Sequence, residues 1–268
     1  GFIQAAAAGG AGLFAQRFAT AGPDLSDSEV KQLQSMAHAA AQARYAQPLA
    51  RGFNAPYAGA NLNRIAFPIG GLGAGMFCLE GTGALSHMSV RNTMEFFHEP
   101  CTFAAVCVKG EPNIARVLEG PIPDWKYFGR PDTGNGGPGT TYGFPRFREA
   151  AFVARFPFAT IELRDEALPL RVSLTGWSPF LPNDADNSSL PVGALEYTFH
   201  NDSGNTVDAV FSFNTKNFMA NGSGSDSVGA FAKGFVLRQA GMPAPQHEGA
   251  FAIFVDGEDV VVDHCWFK

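Results

Sequence analysis

Trp177-Ser178-Pro179-Phe180-Leu181-Pro182-Asn183-Asp184-Ala185-Asp186-Asn187-Ser188-Ser189-Leu190-Pro191-Val192 is the stretch that decides the fold. Its three prolines and its run of small polar residues predict a rigid, turn-rich excursion between two strands. On one side Leu168, Leu170, Val172 and Leu174 alternate with Pro169, Arg171 and Ser173. On the other, Leu195, Tyr197 and Phe199 alternate with Glu196, Thr198 and His200. A period of two places one set of side chains on a buried face and the other toward solvent.

Working outward, residues 200–205 read as a turn leading into Ala209, Phe211 and Phe213, which predicts a hairpin. Residues 251–255, the turn 256–259 and the apolar run 260–262 predict a second hairpin. Met88 and Val90 with Ala84 and Ser86 alternate, residues 103–108 form a continuous apolar run suited to a strand buried on both faces, and 152–158 and 161–163 supply further strands. Many short strands separated by turns point to an all-β fold, an antiparallel β-sandwich. Residues 129–143 and 221–229, rich in Gly, Ser, Thr and Pro, read as surface loops. Strand patterning resumes after each, so neither reads as an interdomain linker, and no repeat of fixed period is present.

Upstream, Ser26-Asp27-Ser28-Glu29 has capping-box spacing and introduces one short α-helix over residues 30–46, with Val30, Leu33, Met36, Ala37, Ala40 and Ala41 at helical spacing. The first residues read as an address. Residues 5–15 are apolar and rich in Ala and Gly, and Ala19-Thr20-Ala21 has the small-x-small form of a signal-peptidase site. Gly1-Phe2-Ile3 would directly follow a pair of arginines in a twin-arginine export signal, so Arg-Arg is expected immediately upstream. The expected layout is an export segment (1–21), a helix and connector (22–55) and a β-sandwich (56–268), with a periplasmic or extracellular location. The apolar run 260–268 reads as a strand rather than a loose tail, which predicts that the chain continues.

Composition narrows the chemistry. A formal charge of -6 gives no basic footprint for nucleic acid, and no apolar run reaches the length of a membrane-spanning helix. The 25 Phe against 3 Trp and 5 Tyr read as core of a sandwich. Cys78, Cys101, Cys107 and Cys265 allow three pairings with nothing in their spacing to choose among them, so no disulfide framework is expected, and Cys107 reads as a small buried hydrophobe. Cys78, His87, His98 and Cys101 lack the close-spaced pairs of a metal site, so no metal or cofactor is expected.

Gly70-Gly71-Leu72-Gly73-Ala74-Gly75 does not sustain a nucleotide reading, because Cys78 stands where the third glycine of a dinucleotide fingerprint belongs and no helical pattern follows. It reads as a bend where backbone passes close to another surface. Asp184 and Asp186 read as caps that fix a turn. Glu95, Glu99 and Glu196 lack the paired setting that glycoside hydrolysis requires. Arg91 and Asn92, beside His87 and His98, read either as a half-exposed strand face or as groups facing a partner domain. Trp177 offers the same choice between packing at a sandwich edge and lining a cleft.

The 177–192 stretch, together with Ile65-Ala66-Phe67-Pro68-Ile69-Gly70-Gly71-Leu72-Gly73-Ala74-Gly75, resembles glycoside hydrolase family 116, the non-lysosomal glucosylceramidases and bacterial β-glucosidases, in its N-terminal β-sandwich domain. The resemblance spans about residues 60–266 and points to a bacterial branch, because residues 85–92 replace an Arg-rich, Cys-Arg-Trp stretch of animal members. It implies a non-catalytic domain of an exported retaining β-glycosidase. The catalytic carboxylates and the β-glucoside substrate would belong to a helical toroid domain later in the same polypeptide, so no catalytic residue is carried over. Gly71, Gly73, Gly75, Arg91, Asn92 and Trp177 are the candidates for that cleft or domain interface. The other reading is a free-standing secreted carbohydrate-binding or adhesion module, engaging glycans through Trp177 or neighbouring aromatics.

Overall fold

The computed structural model describes residues 26–46, 52–91, 94–96, 98–127, 141–220, 225–241, 245 and 248–263. The chain divides into two compact units, Gly1–Gly52 and Phe53–Lys268. In the first, helix α1 (Asp27–Ala46) starts at a formed capping box. The Ser26 amide and hydroxyl both donate to Glu29 Oε2 (2.9 and 2.7 Å) and the Glu29 amide returns a bond to Ser26 Oγ at 3.5 Å. Leu33 and Met36, expected on an apolar stripe, are exposed. The expected export segment, residues 1–21, lies outside the described residues.

The second unit is an antiparallel β-sandwich. One layer is a five-stranded sheet in the order β1 (Tyr57–Ala58), β7 (Glu149–Arg155), β8 (Phe158–Arg164), β9 (Leu170–Trp177), β10 (Ala194–Asn201). Facing it are a sheet of β2 (Ala66–Ile69), β3 (Met76–Glu80) and β4 (Leu85–Ser89), and one of β11 (Ala209–Thr215), β5 (Thr102–Val108) and β6 (Ile114–Val117). Register turns the sequence alternation into core rows: Phe152 pairs with Ile161, Ile161 with Leu174 and Leu174 with Tyr197. Ile69, Leu79, Leu85, Ala104 and Val106 join the same core from the facing sheets. Each fully buried Leu or Ile contributes about 1.5–3 kcal/mol, so these rows set the register. A third small sheet, β12 (Asp226–Phe231), β13 (Gly234–Gln239) and β14 (Gly249–Phe254), closes a second core of Met88, Phe218, Met219 and Leu237. Among the described residues the unit also holds a 3-10 turn (Gly59–Leu62) and two single-turn α-helices, α2 (Asp124–Tyr127) and α3 (Ala185–Ser188).

Four expectations need correction. The turn at 200–205 does not close a hairpin: β10 pairs with β9, while β11 pairs with β5 in a different sheet. The connection crosses between layers, and Phe211 on β11 packs back on Tyr197 with ring centroids 5.2 Å apart. Residues 260–262 do not return along β14, and Val261 stands 91% exposed, since three apolar residues offer too few cross-strand contacts to hold a strand. Residues 226–229, read as loop, begin β12, while 221–224 and 128–140 lie outside the described residues. Cys107 is half-buried, not buried; Cys78 is the enclosed thiol, and burial pushes it up to about 11.

Candidate domain interface and a buried charge cluster

The two segments singled out in the sequence pack against each other. The β2–β3 turn (70–75) lies on the β9–β10 connection (178–193): the Leu72 amide donates to Ser188 O at 2.9 Å and the Gly70 amide to Ser178 Oγ at 2.8 Å. Gly71 is required by this approach, since a Cβ there would sit 2.2 Å from Leu190 O and 2.6 Å from Ser189 O. Gly73 serves a different need: its φ is +74° in open space, a backbone shape that disfavours side chains. At Gly75 a Cβ would sit 3.0 Å from Ser89 O, so the same turn also touches the end of β4. The surface approached by the glycine bend within this unit is the chain's own signature loop.

That loop satisfies its own polar groups. Asp184 caps α3, accepting from the Asn187 amide at 3.0 Å and from Asn187 Nδ2 at 2.6 Å, and the amide bond holds its carboxyl below the usual range. Buried Ser188 Oγ accepts from the Leu181 amide and donates to Leu181 O, both at 3.0 Å. Asp186 is exposed and contributes its carbonyl, which accepts from Ser189 Oγ at 3.1 Å. Trp177 is the half-buried last residue of β9, its ring tilted on Phe158 at 6.4 Å.

Arg91 ties the segment after β4 to the β11–β12 connection. Its Nη1 donates to Met219 O at 2.5 Å, and its Nη2 lies 3.6 Å from Glu95 Oε1. His98 Nδ1 lies 2.5 Å from Glu95 Oε2, and the Glu95 amide donates to Ser89 Oγ at 2.9 Å. His87 has a φ of +52° and packs edge-on to Phe96 at 6.3 Å. Asn92 lies outside the described residues. Glu196 is exposed on β10.

Sequence reading missed a buried charge cluster at the other side of β3. Lys126, on α2, has only 3% of its side chain exposed; its Nζ lies 2.6 Å from Glu80 Oε2 and 2.7 Å from Glu99 Oε1. Glu99 Oε2 also accepts the Tyr142 hydroxyl at 2.5 Å. Beside it Arg146 Nε donates to Glu119 Oε2 at 2.9 Å, and the Arg146 guanidinium donates to Thr141 O and Thr141 Oγ1 at 2.7 and 2.6 Å. Burial pushes the Glu99 carboxyl up against the opposing pull of Lys126, and burial likewise raises Glu119 against Arg146. Burial opposes charge on Lys126 too, yet Glu80 and Glu99 hold its pKa above the ordinary value. A cavity of about 30 Å³ touches Glu99, Glu119, Lys126 and Tyr142, room for a single water. The partners stand 46 and 27 residues from Lys126, so no local spacing announces them.

Chemically, Glu80 and Glu99 do not form an acid and nucleophile flanking open space: a lysine ammonium occupies the gap between them. Fold and site define an all-β sandwich domain whose two signature segments lie against each other at one end. Residues 66–267 match the family described as beta-glucosidase 2, glycosyl-hydrolase family 116 N-term, and the chain belongs to that family. No curated protein matches the chain. Membership implies a catalytic partner domain in the full protein.

Proposed function

We propose that this chain supplies the non-catalytic N-terminal sandwich of an exported retaining β-glycosidase of β-glucosidase or glucosylceramidase type. In this reading it packs against a helical catalytic domain of the same polypeptide and borders the cleft that takes the β-glucoside. The observation that carries the reading is the family match over 66–267, at the N-terminal part of a hydrolase. The engagement of Glu80, Glu99, Glu119 and Asp184 in ion pairs and a helix cap supports it, since a retaining pair needs two carboxyls about 5 Å apart across open space. The test is hydrolysis of an aryl β-glucoside by the purified 268-residue chain and by the polypeptide extended past Lys268. Turnover is expected only from the longer protein; turnover by the shorter chain that disappears on Asp184→Asn sinks the reading. Export is tested by fractionating cells that express the gene from its true start. Protein retained in the cytoplasm when twin-arginine transport is intact would remove that part.

A further inference from the structure

The unit has two unlike ends. Around the β8–β9 turn the surface is ionic: Arg148, Glu149, Arg164, Glu166, Arg171 and Asp202 line an open cleft of about 600 Å³. At the opposite end meet the β2–β3 turn, the β7–β8 turn and the β9–β10 connection. Large apolar side chains there face solvent: Leu72, Phe156 (58% exposed), Phe180, Leu181, Leu190 and Val192 (53%), with Phe158 beside Trp177. Phe156 on one connection packs edge-on against Phe180 on another, centroids 4.9 Å apart, so the residues form one surface rather than scattered exposures. Clustered apolar exposure of this kind marks an interaction site, where single exposed residues would not.

We infer that this end is the docking face for the hydrolase domain of the same polypeptide, and that its partner surface is apolar with a basic rim. The inference rests on the function proposed above and names the surface that reading needs. Three features support the occupant. The face is preorganised, because Ser178, Asp184 and Ser188 spend their polar groups inside the loop and Gly71 clamps it to the β2–β3 turn. Little ordering entropy is then lost on association. Sugar is a poor occupant: the Phe156 and Phe180 rings meet at 70°, so they present no shared flat platform, and the hydroxyls that could bind sugar are already engaged. The family's hydrolase portion is tethered in the same chain, which raises its effective concentration to roughly millimolar and favours it over a second copy. Asp186, exposed at the margin of the face, calls for a cation on the rim of the partner.

Hydroxyl-radical footprinting tests this on the 268-residue chain and on the full-length polypeptide. Oxidation of Leu72, Phe156, Phe180 and Leu190 is expected in the short chain and lost in the long one. Equal oxidation in both overturns the inference. Protection in the short chain that grows with its concentration also overturns it, in favour of a second copy. A charge placed in the face, Phe180→Asp, should restore oxidation at Leu72 and Leu190 in the long polypeptide, while the short chain, which loses only the Phe156 ring contact, still melts cooperatively. Unchanged protection in that variant counts against the face. Glucosidase assays on the same long polypeptide read the function separately: an inactive protein with a protected face removes the proposed activity and leaves the interface standing.

Discussion

Replacing Lys126 by methionine keeps the length of the side chain and removes the one cation that lies between Glu80 and Glu99. At an effective dielectric of about 20, opposite charges 4 Å apart attract by about 4 kcal/mol, and both contacts here are shorter. Part of that attraction offsets the cost of desolvating the ammonium, so the net loss is smaller than the sum of the two contacts. Removing one partner of a buried pair costs about 3–5 kcal/mol, chiefly because the charges left behind stay buried. In a domain of 150–250 residues this corresponds to a fall in melting temperature of about 2–4 °C per kcal/mol. The sign of the pH dependence follows from the stranded carboxyls. Burial already raises Glu99, and without Lys126 it rises further, so stability is fully present below its unfolded pKa and is lost as pH rises through the folded one. Urea unfolding of Lys126→Met should therefore show a deficit that is smallest in acid and grows as pH rises. Adding Glu80→Gln and Glu99→Gln should recover most of the loss, since a neutral hydrogen-bonded cluster strands no charge. A deficit under about 1 kcal/mol at pH 8, flat with pH, would refute the reasoning and show that the cluster is open to water.

Gly71→Ala should destabilise the domain by about 1–3 kcal/mol, since its Cβ meets the Ser189 and Leu190 carbonyls, which cannot swing aside as a side chain could. Gly73→Ala, in open space, should cost only the left-handed backbone strain of about 1–2 kcal/mol and leave the loop contacts intact, which amide exchange at Leu72 distinguishes. Ser178→Ala orphans the Gly70 amide and should cost about 1–3 kcal/mol, read by thermal unfolding. Asp184→Ala should speed amide exchange at Asn187 without changing the core. Because the carboxyl is held below its ordinary pKa, the cap's contribution is present above that ordinary value and lost as pH falls through the lowered one.

Much of the fold was legible because it is local. Alternation at 168–174 and 195–199 named β9 and β10, and Ser26 with Glu29 named the start of α1. Pairing was not local. The same alternation fits any partner strand, so the turn after β10 looked like a hairpin although β11 belongs to another sheet. The candidate site divides the same way. The glycines and the proline-rich loop stood out as unusual, yet nothing in either segment says that they clamp each other. Lys126 within Asp124-Trp125-Lys126-Tyr127 reads as an ordinary solvent-facing lysine until β3 and the approach to β5 bring two carboxylates to it.

By itself the sequence determined the class of fold, the family signature and the positions where the backbone must turn, because hydrophobic period, proline and glycine act over a few residues. Tertiary structure alone decided which strands share a sheet, which surface the glycine bend approaches, that one end is apolar and the other ionic, and that buried Glu80 and Glu119 and half-buried Glu99 gather around Lys126 and Arg146. Those outcomes depend on through-space burial and charge, which act between residues brought together only when the chain closes its core.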